Sequence, residues 1–127
     1  MRLLLDTHAF IWWDSDPGQL SATARSAIQD PANEVLFSAV NVWEMVIKSQ
    51  LSKLALRLPL ADLVFQQQAN GLRVVEVTLR HVLAVEGLLS IHKDPFDRLL
   101  AAQAIVEDAE LVTADHVFAQ YPVRVLW

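Results

Sequence analysis

The sequence predicts a three-layer α/β/α fold, with helices on both faces of a central, mainly parallel sheet of four to five strands. Two observations support this prediction. Short apolar runs of strand length alternate along the chain with longer segments of helical character, and typical helix-starting residues follow several of the runs. Such alternation is typical of a parallel sheet that is buried on both faces.

The first part of the chain contains two predicted strands, RLLL (2–5) and EVLFS (34–38). The first strand leads into a helix over residues 7–13, which the turn cluster DSDPG (14–18) ends. A second helix starts at Ser21 and stops before Pro31, because a proline disfavours helical backbone at the residue before it. After the second strand, a third helix opens at Asn41 with NVWEMVIKSQL.

The second part of the chain continues the alternation. Three helices are predicted here. The first begins at Pro59 and ends at Gly71, the second is capped by Thr78 and runs to about Leu89, and the third begins at Pro95 with PFDRLLAAQAIVED. The predicted strands are RVVEV (73–77), ELVTA (110–114) and VRVLW (123–127).

Composition narrows the class of protein. We expect one domain over residues 1–127, because 127 residues that are 54% hydrophobic suffice for a core. The absence of cysteine excludes disulfides and thiolate metal sites. A net charge of −5 argues against a simple basic nucleic-acid binder. The early apolar run is too short for a signal peptide or a membrane span, so we expect a cytoplasmic protein.

Acidic residues stand where predicted strands end. Asp6 follows the first strand, and Asp115 follows ELVTA. Glu44 lies early in the helix after the second strand, and Asp97 lies in the first turn of the helix that Pro95 begins. Ligands of open parallel sheets bind beyond the carboxyl ends of the strands. These four side chains are therefore candidates for one shared crevice.

Each acid also has a purely structural interpretation. Asp6 is a candidate cap of the helix that follows it. Glu44 has the spacing to complete a capping box with Asn41 or to pair with Lys48 one turn later. The residue types alone leave these alternatives open.

The same holds for the acids of the second half. Asp94 is a candidate N-cap before Pro95, and Asp97 is then a favourable first-turn acid at the positive end of the helix dipole. Asp115 is a candidate turn residue. If the acids do cluster, two like charges about 4 Å apart repel by roughly 4 kcal/mol at an effective dielectric of about 20. A hard divalent cation, Mg²⁺ or Mn²⁺, is the natural compensation for oxygen-only ligands.

Longer motifs add a family resemblance. The chain resembles PIN-domain ribonucleases, and specifically VapC-like toxins of type II toxin–antitoxin systems. The matching stretches are LLLDTHAFIWW (3–13), FSAVNVWEMVIK (37–48), HKDPFDRLLAAQA (92–104) and LVTADHVFAQYPVRVLW (111–127). The family's acidic quartet falls on Asp6, Glu44, Asp97 and Asp115.

The resemblance implies an endoribonuclease that acts as a toxin, with one or two Mg²⁺ or Mn²⁺ ions at the quartet. It also implies a cognate antitoxin and a second copy of the chain as partners. The expected chemistry is hydrolysis of RNA phosphodiester bonds by water activated at the metal. Asp6 and Asp97 are the expected direct ligands, while Glu44 and Asp115 either add ligands or position the water.

Neighbouring side chains complete the predicted site. The hydroxyls of Thr7 and Thr113 flank two of the acids. We expect one of two roles for them: they orient carboxylates or water, or they simply cap strand ends. Arg98 is the favoured phosphate contact because it adjoins Asp97. Further candidates for phosphate contact are Arg80, His92 and Lys93.

Two other function classes remain open at this stage. One is a non-catalytic acidic α/β module for protein interaction, whose acids serve caps and partner contacts. The other is a Mg²⁺-dependent phosphatase with Asp6 as nucleophile, which would want a second acid where His8 stands. Phe10, Ile11, Trp12 and Trp13 span about one helical turn, so they cannot all face inward. This suggests that a partner covers part of the run.

Overall fold

The computed structural model describes residues 1–88 and 94–127. The strands in this part of the chain are β1 (Arg2–Leu5), β2 (Glu34–Ser38), β3 (Arg73–Val75), β4 (Glu110–Val112) and β5 (Val125–Leu126). The α-helices are α1 (Thr7–Ser15), α2 (Ala22–Gln29), α3 (Ala39–Gln50), α4 (Leu60–Ala69), α5 (Leu79–Val85) and α6 (Pro95–Val106). Short 3₁₀ turns span Pro17–Gln19 and His116–Gln120.

The five strands form one sheet in the order β3-β2-β1-β4-β5, and every pair is parallel. Strand β1 lies at the centre, with β2 on one side and β4 on the other. The chain moves outward from β1 through β2 to β3, and later returns to the opposite side for β4 and β5. The strand order therefore reverses at β1, and a crevice opens at the carboxyl end of such a switch point.

Both faces of the sheet are covered, which explains why β1 is a continuous apolar run. Leu3, Leu4 and Leu5 are all fully buried. Leu3 and Leu5 belong to a core cluster with residues of α1, α2, α3 and α4, whereas Leu4 belongs to a second cluster with residues of α6. The predicted α/β/α layering and parallel sheet are confirmed.

Two predicted helix boundaries in the first part are wrong. Helix α1 continues to Ser15, into the predicted turn cluster. Helix α3 begins at Ala39 rather than at Asn41, because Ser38 at the end of β2 is the N-cap and accepts a hydrogen bond from the backbone of Val40. Asn41 is the reciprocal member of the capping box and accepts from the backbone N–H of Ser38 at 2.7 Å. Glu44 is therefore not the capping-box partner.

Differences in the second part concern mainly the ends of elements. Helix α4 begins at Leu60, after Pro59, and Gly71 follows its end with φ 100°, a left-handed conformation that suits glycine. Helix α5 already ends at Val85, and the predicted end near Leu89 lies outside the described residues. The third strand ends at Val75, and the last two strands are also shorter than predicted. No helix of the described residues has the length and apolarity that a membrane span requires.

Candidate active site

Asp6 lies directly after β1, at the switch point of the sheet. Its backbone N–H donates to the carbonyl of Val112 at 3.1 Å, which ties it to the end of β4. One carboxylate oxygen, Oδ1, accepts from the backbone N–H of Ala9 at 2.8 Å and caps α1. The other, Oδ2, accepts from the hydroxyl of Thr113 at 2.6 Å. The cap interpretation is confirmed, and contacts from α1 and from Thr113, the residue after β4, hold this side chain.

The electrostatic environment of Asp6 favours its neutral form. Burial raises the pKa of the Asp6 carboxyl, and the negative charge of Asp115 acts in the same direction. Hydrogen bonds from Thr113 and Ala9 and the proximity of His8 oppose this effect without cancelling it. A carboxylate that is costly to ionise becomes easy to ionise beside a cation, so this site gains from a bound metal ion.

Glu44 lies on the second turn of α3, with both carboxylate oxygens engaged. Oε1 accepts from the hydroxyl of Thr7 at 2.6 Å, and Oε2 lies 2.8 Å from Nζ of Lys48. Thr7 in turn accepts from Nδ2 of Asn41 at 3.0 Å. The alternative pairing of Glu44 with Lys48 is thus confirmed as a contact, but it does not remove Glu44 from the crevice.

Asp97 and Asp94 occupy the beginning of α6. Asp94 is the N-cap, as its position before Pro95 predicts, and its Oδ1 accepts from the backbone N–H groups of Phe96 at 2.8 Å and Asp97 at 3.3 Å. Asp97 lies in the first turn, where the positive end of the helix dipole stabilises a carboxylate.

Asp115 and Thr113 follow β4. Oδ1 of Asp115 accepts from the backbone N–H of Val117 at 3.0 Å and caps the 3₁₀ turn that follows. The backbone N–H of Asp115 donates to Oγ1 of Thr113 at 3.0 Å, while the hydroxyl hydrogen of Thr113 is given to Asp6. Thr113 is buried and connects the two acids, so its hydroxyl does more than cap a strand end.

The four predicted acids line a single cleft of about 120 Å³. The other lining residues are Thr7, His8, Lys48, Asp94 and Phe118. Five carboxyl groups therefore surround the cleft, and Lys48 is the only lysine or arginine among its described lining residues. The structure brings the predicted side chains together; their role as ligands stays a prediction.

The donor set suits a hard divalent ion, since the cleft offers carboxylate and hydroxyl oxygens and the chain has no cysteine. The carboxylates are not pre-assembled, however. Among residues 1–88 and 94–127, no three His, Asp or Glu side chains form a ready-made metal site. An ion would have to draw the side chains inward, and at Oε2 of Glu44 it would compete with Lys48.

The predicted phosphate contacts are less well placed. Neither Arg98 nor the exposed Arg80 is among the described lining residues of the cleft. Nε of Arg98 is buried and lacks a hydrogen-bond partner within the described part of the chain. His92 and Lys93 lie outside the described residues. The role of Arg98 stays a prediction.

Three residues near the quartet contribute to the site in ways that the sequence did not predict. Asp94 lines the cleft besides capping α6, and Lys48 supplies positive charge there. Asn41 holds Thr7 from below the cleft. The signal that could have found Asn41 was the capping-box spacing from Ser38, which places Asn41 on the same side of α3 as Ser38.

The aromatic run after Asp6 packs against one core cluster, with Phe10 inside it and Ile11, Trp12 and Trp13 partly buried against it. Coverage of this run by a partner stays a prediction. Phe10 is buried and stacks on Phe37 with a centroid distance of 4.6 Å. Trp12 lies closer to the surface, 5.6 Å from the ring of His8. Trp43 on α3 is 57% exposed and packs edge-on against Phe96 at 4.9 Å. Trp43, which adjoins Glu44, is thus exposed, and Phe96, which adjoins Asp97, is partly buried against it.

Comparison with known proteins agrees with this architecture. The model of the PIN domain family matches residues 3–123. Ribonuclease VapC22 of Mycobacterium tuberculosis is 33% identical over 114 residues, which cover 89% of this chain and 86% of that protein. The match therefore includes nearly the full length of both chains.

Solved structures show the same fold at low sequence identity. The crystal structure of VapBC2 from Rickettsia felis, bound to a DNA fragment from their promoter, matches with a TM-score of 0.73 and 17% identity over 98% of this chain and 96% of that one. VapBC-1 from nontypeable Haemophilus influenzae matches with a TM-score of 0.62 and 16% identity over 94% and 91%. Taken with the site geometry, these matches lead to one conclusion: the chain is a VapC-like member of the PIN-domain family.

Proposed function

We propose that this protein is a metal-dependent endoribonuclease that acts as the toxin of a toxin–antitoxin pair. One observation carries the proposal: Asp6, Glu44, Asp97 and Asp115, from four separate parts of the chain, line one small cleft at the carboxyl edge of a parallel sheet. The relationship to a protein named as a ribonuclease, at 33% identity, supports the same reaction.

The chain's own residues would divide the work as follows. Asp6 and Asp97 are proposed as direct ligands of Mg²⁺ or Mn²⁺, with Glu44 and Asp115 as further ligands or as acceptors that orient the attacking water. When bound, the ion would lower the pKa of water and stabilise charge on the phosphate. Thr113 would keep the Asp6 carboxylate turned to the cleft by donating to Oδ2. Arg98 is the proposed phosphate contact beside Asp97.

The proposed partners are RNA, a cognate antitoxin and a second copy of the chain. The solved relatives are described as VapBC assemblies and as a toxin–antitoxin complex, which supports an antitoxin for this chain. A cleft with five carboxyl groups would accept a basic side chain of such a partner. Helix α5 exposes Leu79, Val82 and Leu83 by 73%, 50% and 58%, which supports burial of this stripe in a homodimer.

RNA cleavage by purified protein tests the proposal. The protein, freed of any bound inhibitor by refolding, is incubated with total cellular RNA and Mg²⁺, Mn²⁺ or EDTA, and new 5′ ends are mapped. We expect cleavage with either metal and none with EDTA. Asp97→Asn should abolish cleavage, because an amide cannot supply a ligating charge.

A matched control separates loss of the site from loss of the fold. Asp62→Asn changes an exposed acid in the first turn of α4, outside the cleft, and should cleave like the unmutated chain. Absence of metal-dependent cleavage from correctly folded protein would favour the non-catalytic interaction module. Release of phosphate from small phosphomonoesters, with RNA left intact, would favour the phosphatase.

A further inference from the structure

A series of three hydrogen bonds leads from Ser38 to Glu44, and the donor and the acceptor of each bond can be assigned. It starts at the backbone N–H of Ser38, which donates to Oδ1 of Asn41 at 2.7 Å. A backbone N–H can only donate, so the amide of Asn41 must present its oxygen to Ser38 and its NH₂ group to the other side. Asn41 is 1% exposed, and no solvent competes for these groups.

The next bond follows from that orientation. Nδ2 of Asn41 donates to Oγ1 of Thr7 at 3.0 Å. Because a hydroxyl has a single hydrogen and Asn41 occupies the acceptor side of Thr7, this hydrogen is free for Oε1 of Glu44, which lies 2.6 Å away. Thr7 is therefore the donor and Glu44 the acceptor of this hydrogen bond.

The two oxygens of Glu44 are therefore held in different ways. Oε1 is bound from the protein interior by the buried Thr7, which is 4% exposed. Oε2 is bound by Lys48, whose side chain is 35% exposed and has a long flexible stem. Only the second contact can be exchanged without breaking a buried hydrogen-bond network.

We propose that Asn41 is a positioning residue that acts through Thr7 to hold Oε1 of Glu44 while Oε2 exchanges Lys48 for a divalent cation. The inference rests on the proposed metal-dependent function. The competing explanation is that Asn41 serves only as the capping-box residue of α3. The two explanations differ in whether its effect on metal binding requires the hydroxyl of Thr7.

A double-mutant cycle with Mn²⁺ alone tests this difference. Asn41→Asp keeps an oxygen for the N–H of Ser38, and hence the cap, but cannot donate to Thr7. Thr7→Val removes the hydroxyl at nearly constant volume. Mn²⁺ affinity is measured by calorimetry for the unmutated chain, both single variants and the double variant. We expect each single variant to bind about tenfold more weakly, within the range seen when partners of metal ligands are removed.

The decisive quantity is the change in Mn²⁺ affinity that Asn41→Asp causes when Thr7 is already replaced by valine. The proposed relay predicts less than about a twofold further loss, because the hydroxyl through which Asn41 acts is already absent. Equal fold-losses in both backgrounds would overturn the inference. Aspartate at this position could accept the hydroxyl of Thr7, an interaction that the double variant lacks. The cycle is therefore repeated with the uncharged Asn41→Ala, whose loss of the cap is the same in both backgrounds. Thr7→Ser keeps the hydroxyl and should bind Mn²⁺ like the unmutated chain.

One control variant and the absence of RNA from the assay keep this result separate from the fate of the proposed function. Asn70→Asp adds the same charge at the exposed end of α4 and should leave Mn²⁺ affinity unchanged. Because no RNA is used, the cycle can be evaluated even if the protein cleaves none. If the unmutated chain itself fails to bind Mn²⁺, the metal-dependent function and the inference fail together; if it binds and the losses are additive, only the inference fails.

Discussion

Nζ of Lys48 lies 2.8 Å from Oε2 of Glu44, one helical turn away on α3, so a lysine occupies one oxygen of a candidate metal ligand. The ammonium group contributes positive charge to a cleft that five carboxyl groups line. A divalent ion at Oε2 would compete with this contact. The side chain of Lys48 is 35% exposed, so the displaced ammonium can reach solvent.

Lys48→Met should therefore increase the affinity for Mn²⁺. Methionine keeps the apolar stem and removes the competing charge. Partly exposed ion pairs contribute about 0.2–1 kcal/mol, which corresponds to roughly a 1.4- to fivefold gain in affinity. Calorimetric titration with Mn²⁺ measures the effect, and Lys53→Met, on an exposed residue outside the cleft, is the control. Unchanged or weaker binding would show that Lys48 does not compete with the ion.

Asp6→Asn should stabilise the metal-free protein at neutral pH. Asparagine is also a good N-cap, so the hydrogen bond from Ala9 is retained while the buried charge is removed. We expect a gain on the order of 1 kcal/mol, or roughly 4 °C in Tm for a chain of this length. Thermal unfolding in EDTA measures it. A variant that is less stable than the unmutated chain at pH 7 would contradict the electrostatic account of Asp6.

The same comparison has a predicted pH dependence. Because burial raises the pKa of Asp6, the folded state binds this proton more tightly than the unfolded chain does. The stability that this preference provides is fully present at a pH below the ordinary aspartate pKa of about 4. It is lost as the pH rises through the higher pKa of the folded state. The advantage of Asp6→Asn should therefore be smallest at acid pH, grow with pH and then level off. A difference that is independent of pH would contradict this explanation.

Thr113→Val should weaken metal binding, whereas Thr113→Ser should not. The hydroxyl of Thr113 donates to Asp6 and lowers its pKa, which favours the ionised form that binds metal. Without it the pKa of Asp6 rises further, and the N–H of Asp115 loses its acceptor. We expect about a tenfold loss of Mn²⁺ affinity at pH 7. Equal affinities of the valine and serine variants would contradict the role assigned to the hydroxyl.

Mn²⁺ should raise the Tm of the unmutated protein, and EDTA should reverse the effect. A ligand at about 100 times its Kd stabilises the folded state by roughly 2.7 kcal/mol if it binds only that state. Asp97→Asn should lose most of the shift, because it removes a proposed direct ligand. Asp62→Asn, outside the cleft, should retain it. An equal shift in both variants would place the ion elsewhere on the surface.

Much of this arrangement could be predicted from local sequence. Leu3, Leu4 and Leu5 form a run that is typical of a strand buried on both faces, and Asp6 follows it directly. The rule that ligands bind at the carboxyl ends of parallel strands then predicts that Asp6 and Asp115 lie at the same edge of the sheet. Pro95 after Asp94 similarly predicted the start of α6 and hence the position of Asp97.

The errors and omissions involve contacts that local patterns do not encode. Ser38 and Asn41 are both good capping residues, and Ser38 both ends β2 and caps α3, so the predicted start of α3 at Asn41 is two residues too late. The contacts of Thr7 with Asn41 and Glu44 join residues 34 and 37 positions apart in sequence. Such pairs depend on how α1 and α3 pack, which propensity and periodicity do not determine.

The central claim is that the four acids bind one or two divalent ions in a common cleft, and anomalous diffraction from crystals grown with Mn²⁺ tests it most directly. The account predicts an anomalous peak between Asp6 and Asp97, with carboxylate oxygens at about 2.1 Å and Glu44 turned from Lys48 toward the ion. Fully occupied Mn²⁺ sites elsewhere, with the cleft of Asp6, Glu44, Asp97 and Asp115 empty and Lys48 still on Glu44, would contradict it.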